Sequence, residues 1–244
     1  MNIKWCSFAG CLVLGLAVGL SNPPSAFAAV RNINQFRANH GRVTPGDTPG
    51  FPVTISRPGS YRLTTNLTLP DVPGTVGIDI TAEGVELDLN GFAIIGPRVC
   101  PDEDAFLACT PAVDDGSYVL IRGGRNVTVK NGTARGSLGS GIYLGAHARL
   151  EGVNVMWNSM IAVITGKGSI IKNCLVAQSF QGILALGGDC SIVGNRIRVH
   201  TDPGIQMEST TSGYADNVLD CSGPFCVLGG TQTGFNLCGG SPCP

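Results

Sequence analysis

The chain repeats itself about every 21 residues, and a repeat of that length admits few architectures. The segments Leu150-Glu151-Gly152-Val153-Asn154, Ile171-Lys172-Asn173-Cys174-Leu175, Val193-Gly194-Asn195-Arg196-Ile197 and Ala215-Asp216-Asn217-Val218-Leu219 start 21, 22 and 22 residues apart. Val129-Lys130-Asn131-Gly132-Thr133 lies 21 residues upstream of the first of them. A second column precedes this one, as Gly141-Ile142, Ala162-Val163, Gly182-Ile183 and Gly204-Ile205, spaced 21, 20 and 22. The slack between the columns belongs in a turn. One unit therefore reads as a short strand, a turn, a second short strand and another turn.

The apolar runs are short, rich in Val, Ile and Thr, and alternate with polar residues, as in Val85-Glu86-Leu87-Asp88-Leu89. Alternation is the period of strands, whose side chains face opposite sides in turn. Helical solenoids need longer units with a 3.6-residue period, and a leucine-rich frame is absent. The expectation is an all-β, single-stranded parallel β-helix of seven or eight coils, stacked ~4.8 Å apart. Asn131, Asn173, Asn195 and Asn217 recur at one position of this alignment, with Gly152 in the same column. Asn and Gly tolerate left-handed backbone angles, so the column predicts one sharp turn per coil and a ladder of stacked amides.

Gly59-Ser60-Tyr61-Arg62-Leu63, Val85 to Phe92 and Asn126-Val127-Thr128-Val129-Lys130-Asn131-Gly132 resemble secreted bacterial right-handed parallel β-helix repeat proteins, a grouping similar in architecture to the pectin-lyase-like superfamily. The resemblance spans roughly residues 50–240 and implies a right-handed solenoid. It implies no single activity, because the superfamily includes polysaccharide lyases, hydrolases, epimerases, adhesins and non-catalytic surface proteins.

Residues 1–28 read as a secretory signal peptide: Lys4, the apolar run Cys11 to Leu20, Pro23-Pro24, then Ala26-Phe27-Ala28 as a small-x-small cleavage site. The apolar run is too short to span a bilayer. Localisation is therefore expected to be secreted or periplasmic. Eight cysteines follow the signal, an even number that argues for disulfides in an exported chain. Proximity favours Cys100-Cys109, Cys174-Cys190, Cys221-Cys226 and Cys238-Cys243. Residues 29–50 are assigned as an N-terminal cap, 51–219 as the β-helix and 220–244 as a disulfide-rich C-terminal cap.

The irregular segment 96–116 carries Asp102, Glu103, Asp104, Asp114 and Asp115. Clustered carboxylates suit Ca2+, the one cofactor considered, and make Asp102, Glu103 and Asp104 candidate binding residues. Asp114-Asp115 and Arg196-Ile197-Arg198 are partial echoes of polygalacturonase motifs, but the Asn-Thr-Asp and Gly-His-Gly elements are missing. His200-Thr201-Asp202-Pro203 fits a turn better than an epimerase signature. If the chain is an enzyme, Asp114, Asp115 and Arg122 are the catalytic candidates. An outward column reads Arg122, Tyr143, Ile164, Leu184 and Gln206, giving an apolar stripe with Tyr143 as a binding candidate. A second outward column reads Lys130, Glu151, Lys172, Gly194 and Asp216. One Trp remains beyond the signal peptide, so aromatic sugar platforms are not expected.

Sixteen basic residues against 17 acidic ones argue against a nucleic-acid partner. A 43% hydrophobic content with a net charge of −1 argues against disorder. The expected function is a non-catalytic envelope or extracellular protein that binds a glycan or protein partner. The alternative is a small carbohydrate-active enzyme on an acidic polysaccharide. A third expectation is self-association along the Tyr143/Ile164/Leu184 stripe.

Overall fold

The computed structural model describes residues 29–101, 108–111, 116–199, 203–221 and 225–243. It is a parallel β-solenoid of about eight turns. Each coil has three sides, and the clearest is Ile161–Thr165, Ile170–Lys172 and Leu175–Ser179. The first face stacks eight parallel strands, from Val53–Ile55 to Val227–Leu228, into a sheet of its own. The second and third faces belong to one larger sheet, because Val127–Arg135 and Arg149–Met156 pass from one face to the other unbroken. Three strands per coil replace the two expected from the sequence. The corner between the second and third faces is one left-handed residue, too little to interrupt an apolar alternation.

Inward columns form the core. On the first face they are Ile78, Ile121, Ile142, Val163, Ile183 and Ile205, each fully buried. Val129, Leu150, Ile171, Ile192 and Tyr214 line the second face, and Val155, Val176, Ile197 and Leu219 the third. Each side chain meets the same position of the coils above and below, so the apolar stack is continuous along the axis. The small residue before each inward Ile has a steric cause. A Cβ on Gly141 would come within 2.6 Å of the Ala162 carbonyl oxygen of the next coil.

The three corners share one pattern: a residue at positive φ, in most coils at the surface, is followed by one that turns in. Between the first and second faces the left-handed residues are Gly84, Asn126, His147, Gly168 and Asp189. Between the second and third they are Asn131, Gly152, Asn173, Gly194 and Asp216, and before the first face they are Gly136, Trp157 and Gln178. The Asn column is therefore corrected. Strand pairing sets Leu150 opposite Ile171, and Ile171 opposite Ile192 rather than Val193. Asn131 and Asn173 stay at the outer turn, while Asn195 and Asn217 move one place on, into the interior.

The inward residues carry the corner hydrogen bonds. Asn217 Oδ1 accepts from the backbone N–H and Nδ2 of Asn195, both at 3.0 Å. Asn236 Oδ1 does the same for Asn217, at 2.9 and 3.0 Å, and the Cys174 N–H donates to Asn195 Oδ1 at 2.9 Å. At the next corner Ser137 N–H donates to Asn158 Oδ1, and Asn158 N–H to Ser179 Oγ, with all three residues fully buried. At the remaining corner Ala148 N–H donates to Ser169 Oγ, and Cys190 N–H to Ser212 Oγ. Buried amides that strand pairing cannot reach are thus satisfied by the next coil's side chain.

This arrangement explains the cysteines. Cys100–Cys109 and Cys238–Cys243 are disulfides. Cys174 is not joined to Cys190, nor Cys221 to Cys226, contrary to the sequence expectation. Cys174 and Cys190 sit at different corners, each a member of its own interior ladder. Cys174 Sγ donates to the Lys172 carbonyl, and Cys190 Sγ to that of Gly166, both at 3.3 Å. Desolvation pushes the Cys174 thiol up to about 11, which keeps it protonated and inert near neutral pH.

At the N-terminal end a short helix, Gln35–His40, is capped by Asn34, whose Oδ1 accepts the Arg37 N–H. The edge of Val53–Ile55 is occupied by side chains: Asp47 accepts the Thr54 N–H and Thr44 donates to the Thr54 carbonyl. At the other end Ser241–Pro242 folds back antiparallel on Leu237–Cys238.

Two stability outcomes follow. Asn217→Ala strands the Asn195 amide donors and should cost about 3–5 kcal/mol, whereas Asn131→Ala at an outer turn should cost about 1 kcal/mol. Denaturant midpoints measure the order, and equal costs would refute the corrected register. The buried Thr165 hydroxyl lacks a hydrogen-bond partner, so Thr165→Val should raise stability by about 1 kcal/mol.

Candidate functional site

Each face presents a different outward surface. On the first face the column runs Asp79, Arg122, Tyr143, Ile164, Leu184 and Gln206. Arg122 is gripped by Asp79 through Nε at 3.0 Å and Nη2 at 2.8 Å. The hydrogen bond to that carboxylate holds the guanidinium pKa above its ordinary value, so Arg122 is a fixed cation and a poor proton abstractor. Tyr143 is 41% exposed, and Leu184 lies outward beside the buried Ile183. Asp102, Glu103, Asp104, Asp114, Asp115 and His200 lie outside the described residues. Among the described residues no three His, Cys, Asp or Glu side chains converge as metal ligands.

The second face is a solvated charge ladder. Lys130 pairs with Glu86 at 3.0 Å and Lys172 with Glu151 at 2.9 Å. Its column continues through Val193 and Ala215, not Gly194 and Asp216, by the same one-residue correction. Such exposed pairs contribute little to stability.

The third face holds the built feature. Met156, Trp157, Leu175, Ala177, Gln178, Arg196 and Arg198 line a groove of about 280 Å³. Strand pairing puts Arg135, Met156, Ala177 and Arg198 in one outward column, and Asn154, Leu175 and Arg196 in the column beside it. Met156, Leu175 and Ala177 give the groove an apolar centre, Arg196 and Arg198 stand at one end, and Arg135 lies one coil beyond Met156 in the same column. Trp157 forms a wall, with the Arg135 guanidinium 5.0 Å from its ring centre. Arg198 also approaches Asp220, at 3.7 Å.

Trp157 has φ of +60°, in the corner column where Gly136 stands one coil earlier. A bulky side chain there costs of order 1–3 kcal/mol, and strain of this kind gathers at functional sites. Sequence reasoning noticed Arg196 and Arg198 only as a motif fragment and set Trp157 aside as a lone aromatic. The missing signal was register: Arg135, Met156, Ala177 and Arg198 share one column only once the coils are aligned by strand pairing.

Compared with models of protein families, with curated proteins and with solved structures, the chain matches none of them.

If Trp157 is held for function, Trp157→Gly should leave the unfolding free energy within about 1 kcal/mol of wild type, because relief at positive φ offsets the lost contacts. A loss of several kcal/mol in denaturant titration would make Trp157 a packing residue.

Proposed function

We propose that this chain is an exported, non-catalytic, right-handed β-solenoid that binds a glycan or protein partner in the third-face groove. The observation that carries the reading is the strained Trp157 beside Arg135, Arg196 and Arg198 over an apolar floor. Apolar floors with a few placed polar groups are what ligand sites have in common, and arginine forks suit carboxylate, sulfate or phosphate. Export is supported by the pattern of residues 1–28 and by two disulfides, which persist in oxidising compartments. Binding rather than catalysis is supported by Arg122, the basic member of the catalytic candidates, being committed to Asp79.

The test is binding of the purified protein to a panel of envelope polysaccharides and envelope proteins. The double variant Arg196→Ala/Arg198→Ala should lose about tenfold or more in affinity, as expected for charge-assisted hydrogen bonds, while Arg122→Ala binds as wild type. Unchanged binding by the double variant would overturn the reading.

A further inference from the structure

We propose that the groove takes an extended acidic peptide segment of a protein partner, lying along the solenoid axis. Its acidic side chains would stand at positions i and i+4, with an apolar one at i+2. The inference rests on the third-face groove being the binding site, and it deepens that reading by naming the ligand.

The spacing of the groove sets the ligand's period. Arg135, Met156, Ala177 and Arg198 pair directly with one another on successive coils. Three coil steps separate the two arginines, or ~14 Å at ~4.8 Å per step. An extended peptide advances ~3.3–3.4 Å per residue, so side chains at i and i+4 project from one face ~13–14 Å apart. A carboxylate at each position reaches one arginine end, Arg135 or the Arg196/Arg198 pair. The side chain at i+2 then falls midway, over Met156 and Ala177.

The centre of the groove matches an apolar side chain. Met156, Leu175 and Ala177 offer no side-chain hydrogen-bond donor, and no acceptor stronger than a thioether. An aliphatic side chain laid over these three residues gains from leaving water, while Gln178, Arg196 and Arg198 line the same groove with polar groups for the ligand's charged parts. Trp157 already carries the Arg135 guanidinium against its ring. Charge complementarity therefore comes from the two ends, and apolar complementarity from the middle.

Asp220 makes a second, independent mark. It lies next to Arg198 in the same outward column, at 3.7 Å, and both side chains are about half exposed or more. A ligand carboxylate on Arg198 must share the guanidinium with this resident acid. Removing the Asp220 charge should therefore strengthen binding.

The experiment titrates full-length protein against fluorescein-labelled peptides, read by anisotropy at low and high salt. One peptide carries Glu at i and i+4 with Leu at i+2, its isomer carries the same residues with Glu at i and i+1, and an oligouronate serves as the glycan probe. The i, i+4 peptide should bind about tenfold tighter than its isomer, and Arg135→Ala should abolish that preference. Asp220→Asn should tighten binding about two- to fivefold, with thermal unfolding used to show that each variant is folded. Equal binding of the two isomers would overturn the proposal. So would binding of the oligouronate alone with loss in Arg196→Ala/Arg198→Ala, a result that leaves the groove reading standing. If neither probe binds, and envelope partners bind the double variant as they do wild type, both readings fall.

Discussion

Among the described residues, seven corners of this solenoid bury a backbone amide that strand pairing does not satisfy. The chain meets that constraint with a side chain from the neighbouring coil. Asn217 accepts from Asn195, and Asn236 from Asn217. Asn158 serves Ser137, and Ser212 serves Cys190. An unpaired buried donor costs about 1–3 kcal/mol, so seven such corners left unmet would remove much of the fold's stability. The positive-φ residue before each inward residue is the geometric half of the same device. It reverses the chain fast enough for its successor to point inside.

Because folding is secured from within, the outward surface is nearly free of structural duty. Its faces can therefore diverge: an apolar stripe around Tyr143 on the first, a Lys/Glu ladder on the second, an arginine-flanked groove on the third. Stacking also turns a single outward residue per coil into a row at ~4.8 Å intervals. A ligand with its own repeat can be matched by such a row. Trp157 takes a left-handed corner position that Gly136 fills one coil earlier, and the side chain it presents lines the groove.

Much of this architecture was legible in the amino-acid order. The apolar columns Ile142, Val163, Ile183 and Ile205 and their outward neighbours pair as read, because period-2 alternation survives variable turns. The corner between the second and third faces was harder. Asn residues occur on both sides of the turn, at the outer position in Asn131 and Asn173 and at the inner one in Asn195 and Asn217. Stacking by residue identity merged two columns that strand pairing separates. The same slip hid the groove, whose lining residues come from segments up to 42 residues apart. Disulfide pairing by proximity failed for Cys174 and Cys190 because an interior thiol can stand where other coils place Asn or Ser.

Amide hydrogen exchange tests the corner account most directly. The backbone N–H groups of Cys174, Asn195, Asn217, Ser137, Asn158, Ala148 and Cys190 should exchange as slowly as those of core strands such as Ile161–Thr165, because each is bonded inside the solenoid. Exchange at these corners at the rate of exposed loops, with the strand amides still protected, would contradict it.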